Sequence, residues 1–279
     1  MSRLKVPESY KGGRKKWVAD LEKSVQVQKQ YLATLTETEL GRPDTLTRTE
    51  AVFESWFALG IFNHWQEEEE VARSYWAQAA SLAQAYIERE LPTLTCEEAP
   101  SDARLVRKAA LAAALSGQEP LARTFFSYTE RFSTGLVTGH EERPADPGTV
   151  LDSMGLHPIY RVYSLIRLGR LSGFHGLIFP DANSAEAVWV RTDIHGLMVT
   201  AEHCLALGLH EGHKVFASET KLIPLLRALV LVLEGRGAAE AARKALVTCE
   251  RSIRDMSDFR RIYPVLLDLK AAFPTVFTA

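Results

Sequence analysis

The feature that most constrains the fold is an apolar period of three and four residues that recurs along most of the chain. Between Trp17 and Leu35, apolar side chains fall at Trp17, Val18, Leu21, Val25, Tyr31, Leu32 and Leu35. That spacing places them on one face of a helix. Gly41-Arg42-Pro43-Asp44 ends the pattern, because proline lacks an amide donor and glycine tolerates a left-handed cap. Thr47 or Thr49 is positioned to cap a second helix, which carries Val52, Phe53, Trp56, Phe57, Leu59 and Ile61 to about His64. Glu67, Glu68, Glu69 and Glu70 then open a helix reaching about Glu90. Negative charge at that end complements the helix dipole.

Two later stretches share one grammar. Ser101 or Asp102 caps an alanine-rich helix over Leu105 to Leu115, Ser116-Gly117-Gln118-Glu119-Pro120 forms a turn, and a helix with Leu121, Phe125, Phe126, Tyr128 and Phe132 follows. Near the C-terminus, Leu222 to Leu233 is the first helix of a second such unit. Glu234-Gly235-Arg236-Gly237 is its turn, and Ala238 to Ile253 its second helix. Helices are also expected from Pro158 to Leu171 and, capped by Ser184, to Leu207. Strand-like alternation is scarce. The expected class is all-α, an irregular array of antiparallel helical hairpins that lacks the fixed period of a true tetratricopeptide protein. Residues 1–279 are read as one helical domain, with the glycine- and proline-rich loop 133–150 as the place where it would divide.

Composition narrows the function. The chain of 279 residues is 46% hydrophobic and 24% charged, the proportions of a globular protein with a sizeable core. Its 33 basic and 35 acidic side chains exclude nucleic-acid binding by bulk positive charge. The near-neutral total conceals an uneven distribution. Residues 1–36 carry a balance of +5, residues 37–102 of −10 and residues 103–279 of +3. An acidic segment of that kind steers an oppositely charged partner during encounter. Cys96, Cys204 and Cys249 are sparse, odd in number and without a CxxC pair, which suits a reducing compartment. No apolar signal core follows the basic stretch Lys11 to Lys16, so a cytoplasmic location is expected. The most apolar run, Leu222 to Leu233, is interrupted by Pro224 and Arg227 and falls short of the ~20 residues of a membrane span.

Catalytic signatures are few. His195, His203, His210 and His213 cluster in sequence with Cys204 and Glu211. His210-Glu211-Gly212-His213 is one residue too short for the zincin motif, whose two imidazoles share a helix face at i and i+4. The plainer reading is a polar helix-terminal loop, and the cluster is retained as the alternative, a metal-dependent helical enzyme. A di-metal carboxylate bundle would need repeated Glu-x-x-His motifs, and His64-x-x-Glu67 is a single reversed one. There is no nucleophile elbow and no phosphate-binding loop. No cofactor or metal is expected, and Cys204 and Cys249 read as small buried hydrophobes. Trp56, Trp65, Tyr75, Trp76 and Tyr86 recur at helical spacing, which by default means core. Glu67, Glu68, Glu69 and Glu70 read most plainly as a solvated face; as the rival reading they bind a partner, with Trp65 and Trp76, which flank them, as candidates to rim the interface.

The stretches Trp65 to Tyr86 (WQEEEEVARSYWAQAASLAQAY) and Leu105 to Phe132, together with chain size, resemble the all-helical immunity proteins of bacterial polymorphic toxin systems, particularly the family catalogued as immunity protein 49. The resemblance implies a cytoplasmic antitoxin that binds a cognate toxin and blocks it through surface complementarity, without catalytic apparatus. A non-enzymatic protein-binding module is therefore the expected function. A helical-repeat scaffold or sensor, with a groove for a peptide or small ligand, is the second alternative.

Overall fold

Local rules set the helix ends. The computed structural model describes residues 6–8, 10–41, 45–90, 99–138, 158–172 and 219–278. Among them the elements are α1 (Gly13–Ala33), α2 (Glu37–Gly41), α3 (Leu46–Trp65), α4 (Glu69–Glu90), α5 (Ala99–Leu115), α6 (Glu119–Thr138), α7 (Pro158–Ser172), α8 (Leu222–Leu233), α9 (Ala239–Arg251), α10 (Met256–Ala272) and α11 (Pro274–Phe277). A 3-10 turn, Glu219–Lys221, leads into α8. No strand occurs among the described residues. The fold is all-α, as expected.

Several boundaries differ from the sequence reading. The cap of α3 is Thr45, whose side chain accepts from Arg48 N; Thr49 is instead buried inside the helix, its hydroxyl bonded to Thr45 O at 2.9 Å. α5 begins at Ala99, ahead of Ser101 and Asp102. α6 continues through Ser133 to Thr138, so the first part of the expected loop is helical and the rest lies outside the described residues. So does the expected helix from Ser184 to Leu207.

Three hairpins, α3–α4, α5–α6 and α8–α9, turn by the same device. At each, the C′ residue takes a left-handed conformation: Glu67 (φ 67°), Gly117 (φ 82°) and Gly235 (φ 73°). The N–H of the next residue reaches back five positions, from Glu68 to Asn63 O, Gln118 to Ala113 O and Arg236 to Leu231 O. The C′ N–H bonds to His64 O, Ala114 O and Val232 O respectively. This pairing satisfies carbonyls that a helix end otherwise leaves orphaned. The first ladder bond of each second helix is then made by Ala72, Ala122 or Ala242. These alanines are fully buried, and Trp76, Phe126 and Leu246, one turn later, are buried too. A methyl at the entry allows the second helix to close on the first, and the larger residue fills the space that opens beyond it. The repeated pattern is thus Ala72-Arg73, Ala122-Arg123 and Ala242-Arg243, each with a buried apolar residue three positions after the arginine.

The hairpins stack through α4 on α5, α6 on α7 and α7 on α8, with α1 against α3. α10 lies across this array and touches α3, α5, α7 and α9. Its Phe259, Ile262, Val265, Leu266 and Leu269 are all buried. The face that α3, α5 and α7 turn toward one another's shared side is therefore covered by the chain's own helix. Pro264 sits inside α10, where its missing N–H removes one ladder bond.

Polar groups fix how α10 sits. Asp268 and Arg167 are about as buried as any side chain in the core, at 1% and 2% exposure. Tyr163 Oη donates to Asp268 Oδ2. Arg167 Nε lies 2.7 Å from the same oxygen, although its N–H is not aimed along that line, and Arg167 Nη2 lies 3.6 Å from Glu119 Oε1. Burial pushes the Asp268 carboxyl above its usual range, and the Arg167 charge only partly offsets this. Burial, reinforced by the Asp268 charge, likewise holds the Tyr163 hydroxyl well above its ordinary value. Removing one partner of such a pair strands the other in the core. Arg167→Leu is therefore expected to cost about 3–5 kcal/mol near neutral pH, and the double variant Arg167→Leu with Asp268→Leu clearly less. Because Arg167 holds the Asp268 pKa down, its loss raises that pKa further, the variant gains more than the wild type from protonation at low pH, and the penalty of Arg167→Leu should shrink between pH 8 and pH 5. Urea unfolding of the wild type and the two variants at both pH values checks this, and a penalty that is constant with pH would contradict it.

Candidate functional site

The acidic cluster divides by position. Glu67 and Glu68 belong to the turn, and only Glu69 and Glu70 lie in α4. Glu67, Glu68 and Glu70 are exposed, and none forms an ion pair with a cation of the described residues. Glu69 is different. Its Oε2 lies 2.5 Å from His64 Nδ1, and its Oε1 accepts from Arg73 Nε at 3.0 Å. Burial raises its pKa, but the bonds from Arg73 and His64 outweigh that and hold it below the ordinary carboxylate range. The turn and the first residues of α4 therefore present three carboxylates without ion pairs among the described residues, while Glu69 clamps α4 to the end of α3.

The two tryptophans flanking the cluster have separate fates. Trp76 is 1% exposed, and its Nε1 donates to Phe57 O at 3.3 Å. Its indole lies against Gly60, where a Cβ would come within 2.3 Å of Nε1. The expectation that Trp76 rims an interface is thus corrected. The glycine at position 60 opens space for the ring inside the α3–α4 hairpin, and the ring goes inward. Trp65 is only partly buried. Its ring meets Trp17, Phe259 and Tyr263 edge to face at 5.2, 4.9 and 5.0 Å, and Phe259 stacks on Tyr263 at 4.7 Å. Such contacts immobilise all four rings.

Beyond Trp65 opens a cleft of ≈ 470 Å³. Trp65 and Tyr263 line it from α3 and α10, Val247 from α9, Ile253 from the α9–α10 connection, and Val6 and Pro7 from the N-terminal segment. Two ion pairs cross its rim, Lys270 to Glu250 and Arg251 to Glu8. Tyr263 also stands 6.1 Å from the His64 ring. Burial, then the charges of Glu250 and Glu69, raise the Tyr263 hydroxyl pKa. The acidic turn therefore abuts the aromatic end of the cleft.

Sequence reasoning reached Trp65 and the four glutamates and missed Tyr263, Glu250, Val247 and Lys270. The period Phe259, Ile262, Val265, Leu266, Leu269 was available as a signal, but Pro264 within it argues against a helix. Cys249 is buried, its thiol donating to Lys221 O, and burial together with the Glu250 charge pushes its pKa up to about 12. It is a packing residue. Among the described residues no group of three His, Cys, Asp or Glu side chains is arranged to hold a metal ion, and His195, His203, His210 and His213, with Cys204, lie outside them. No helix of the described residues is long and apolar enough to cross a membrane. Comparisons with protein-family models, with curated proteins and with solved structures return no match.

Two outcomes test this geometry. A side chain in the left-handed region costs roughly 1 kcal/mol that glycine avoids, so Glu67→Gly should raise the unfolding free energy by about that amount. A lower urea midpoint would mean that the Glu67 side chain makes contacts outweighing its backbone strain. Glu69 has a lowered folded-state pKa, so its contribution is full above the ordinary carboxylate range and is lost as pH falls through the lowered value. The gap in urea midpoint between wild type and Glu69→Gln should accordingly narrow from pH 7 to pH 3.

Proposed function

We propose that the protein is a non-enzymatic binding module, most concretely a cytoplasmic immunity protein that seats on a cognate bacterial toxin and neutralises it. The observation that carries this reading is the acidic turn. Glu67, Glu68 and Glu70 stand exposed and without ion-pair partners among the described residues, on a turn fixed by four backbone bonds and by the His64–Glu69–Arg73 clamp. Rigid presentation matters because a preorganised surface loses less conformational entropy on binding. Exposed carboxylates beside a cleft floored by immobile aromatic rings combine long-range steering with a place for close packing. The concentration of negative charge in residues 37–102 extends the same field. The partner is accordingly a protein with a basic contact surface.

A quantitative pull-down from the native organism at low and moderate salt, followed by expression of the recovered protein, tests the proposal. One protein should be recovered in stoichiometric amount, should arrest growth when expressed alone and should lose toxicity when this chain is co-expressed. Recovery of a harmless protein, or of none, would overturn the immunity reading. With the partner in hand, Glu67→Lys, Glu68→Lys and Glu70→Lys together should slow association by about tenfold or more and flatten its salt dependence, with dissociation little changed. An unchanged association rate would remove the turn from the encounter surface.

A further inference from the structure

We propose that the cleft between α9, α10 and the Trp65 end of α3 is an anchor pocket for one apolar side chain carried on a basic, extended segment of a protein partner. The inference deepens the binding-module reading and rests on it for the partner being a protein. Volume and lining come first. At ≈ 470 Å³ the cleft is within the range of ligand-sized pockets and exceeds a single leucine or phenylalanine side chain. Its walls are Trp65, Tyr263, Ile253 and Val247. Val247 is 42% exposed, one of three large hydrophobic side chains so exposed among the described residues. An apolar side chain seated there would cover it.

Rigidity comes second. The floor is the Trp65–Tyr263–Phe259–Trp17 cluster, in which each ring is held by at least two others. Anchor residues at protein interfaces fill preformed pockets of this kind, ringed by polar groups that exclude water. Here the ring consists of the Lys270–Glu250 and Arg251–Glu8 pairs.

Charge decides the occupant. The two cations at the rim are engaged by carboxylates of the rim itself. The carboxylates at the Trp65 end, Glu67, Glu68 and Glu70, are engaged by no described cation. At the Trp65 end of the cleft the unpaired charge is thus negative, whereas the exposed cations Lys11 and Arg254 stand at the Ile253 end, so a segment running from the pocket over the turn is favoured when it carries lysine or arginine and disfavoured when acidic. Val247 of α9 is at once a lining residue and exposed to solvent, so the slot is entered past it, by an extended segment, side chain first.

Panning a phage-displayed random dodecapeptide library against the whole protein tests this without the natural partner. Enriched peptides should share one large apolar residue next to two or more basic ones. A synthetic peptide of that pattern should lose at least tenfold in affinity, measured by fluorescence anisotropy, when its apolar residue becomes glycine. Val247→Arg should give the same loss by filling the slot, and Val247→Gln a smaller one. Both variants should keep the wild-type melting temperature, because Val247 points outward. Glu67→Gln, Glu68→Gln and Glu70→Gln together should weaken the apolar and glycine peptides alike. Absence of enrichment, a pattern without basic residues, or binding that survives Val247→Arg would each overturn the pocket. The immunity reading fails separately. If the recovered toxin is neutralised equally well by Val247→Arg, the pocket falls and that reading stands; if peptides bind the pocket but no toxin is found, the reverse holds.

Discussion

The structure depends on the burial of α10 across helices that lie far from it in sequence. Hairpins of paired helices make mostly local contacts and stack on their neighbours, so each unit alone leaves one apolar face uncovered. α10 closes that face for α3, α5 and α7 together, and its contribution is more than apolar area. Asp268 joins it to Tyr163 and Arg167 of α7, Arg260 approaches Glu54 of α3 within 3.8 Å, and Lys108 of α5 meets the same glutamate. Lys270 reaches Glu250 of α9. Apolar residues would supply burial with less desolvation cost. The ionic contacts permit α10 only one axial position, because a one-turn slip would leave Asp268 and Arg167 buried without each other.

That single position creates the candidate site. Tyr263 and Lys270 are two turns apart on α10 and line the same cleft, so the register that satisfies Asp268 also delivers Tyr263 to Trp65. Behind them Phe259 and Trp17 pack edge to face, with centroids 4.8 Å apart. The side that α3, α5 and α7 share is taken up by α10, and the cleft lies apart from it, where Trp65, the N-terminal Val6 and Pro7, and Val247 of α9 converge.

The fold was legible from sequence where periodicity and turn chemistry agreed. α1, α3, α8 and α9 follow directly from their apolar stripes, and Gly117 and Gly235 announce two of the three hairpins. The third was harder to read because glutamate occupies the left-handed position at 67, so the turn looks like the beginning of a charged helix. α10 was hidden by Pro264. Of the site, Trp65 and the acidic residues were visible as local anomalies. Trp76 could not be told apart from Trp65, since both fall at helical spacing on either side of the acidic run. What separates them is Gly60 across the hairpin, a tertiary fact. Tyr263, Glu250 and Val247 join the site only through contacts between helices distant in sequence, which no local pattern encodes.

The place of α10 in the chain order also governs how the protein is made. Every helix it covers is complete well before α10 leaves the ribosome; α3 precedes it by about two hundred residues, or ~10–40 s at ordinary rates of synthesis. For that interval the inner faces of α3 and α5 have no permanent cover, and Arg167 has no Asp268. The nascent chain thus carries that apolar surface without the cover of α10, and a product truncated before Met256 lacks both this cover and the Asp268 partner of Arg167.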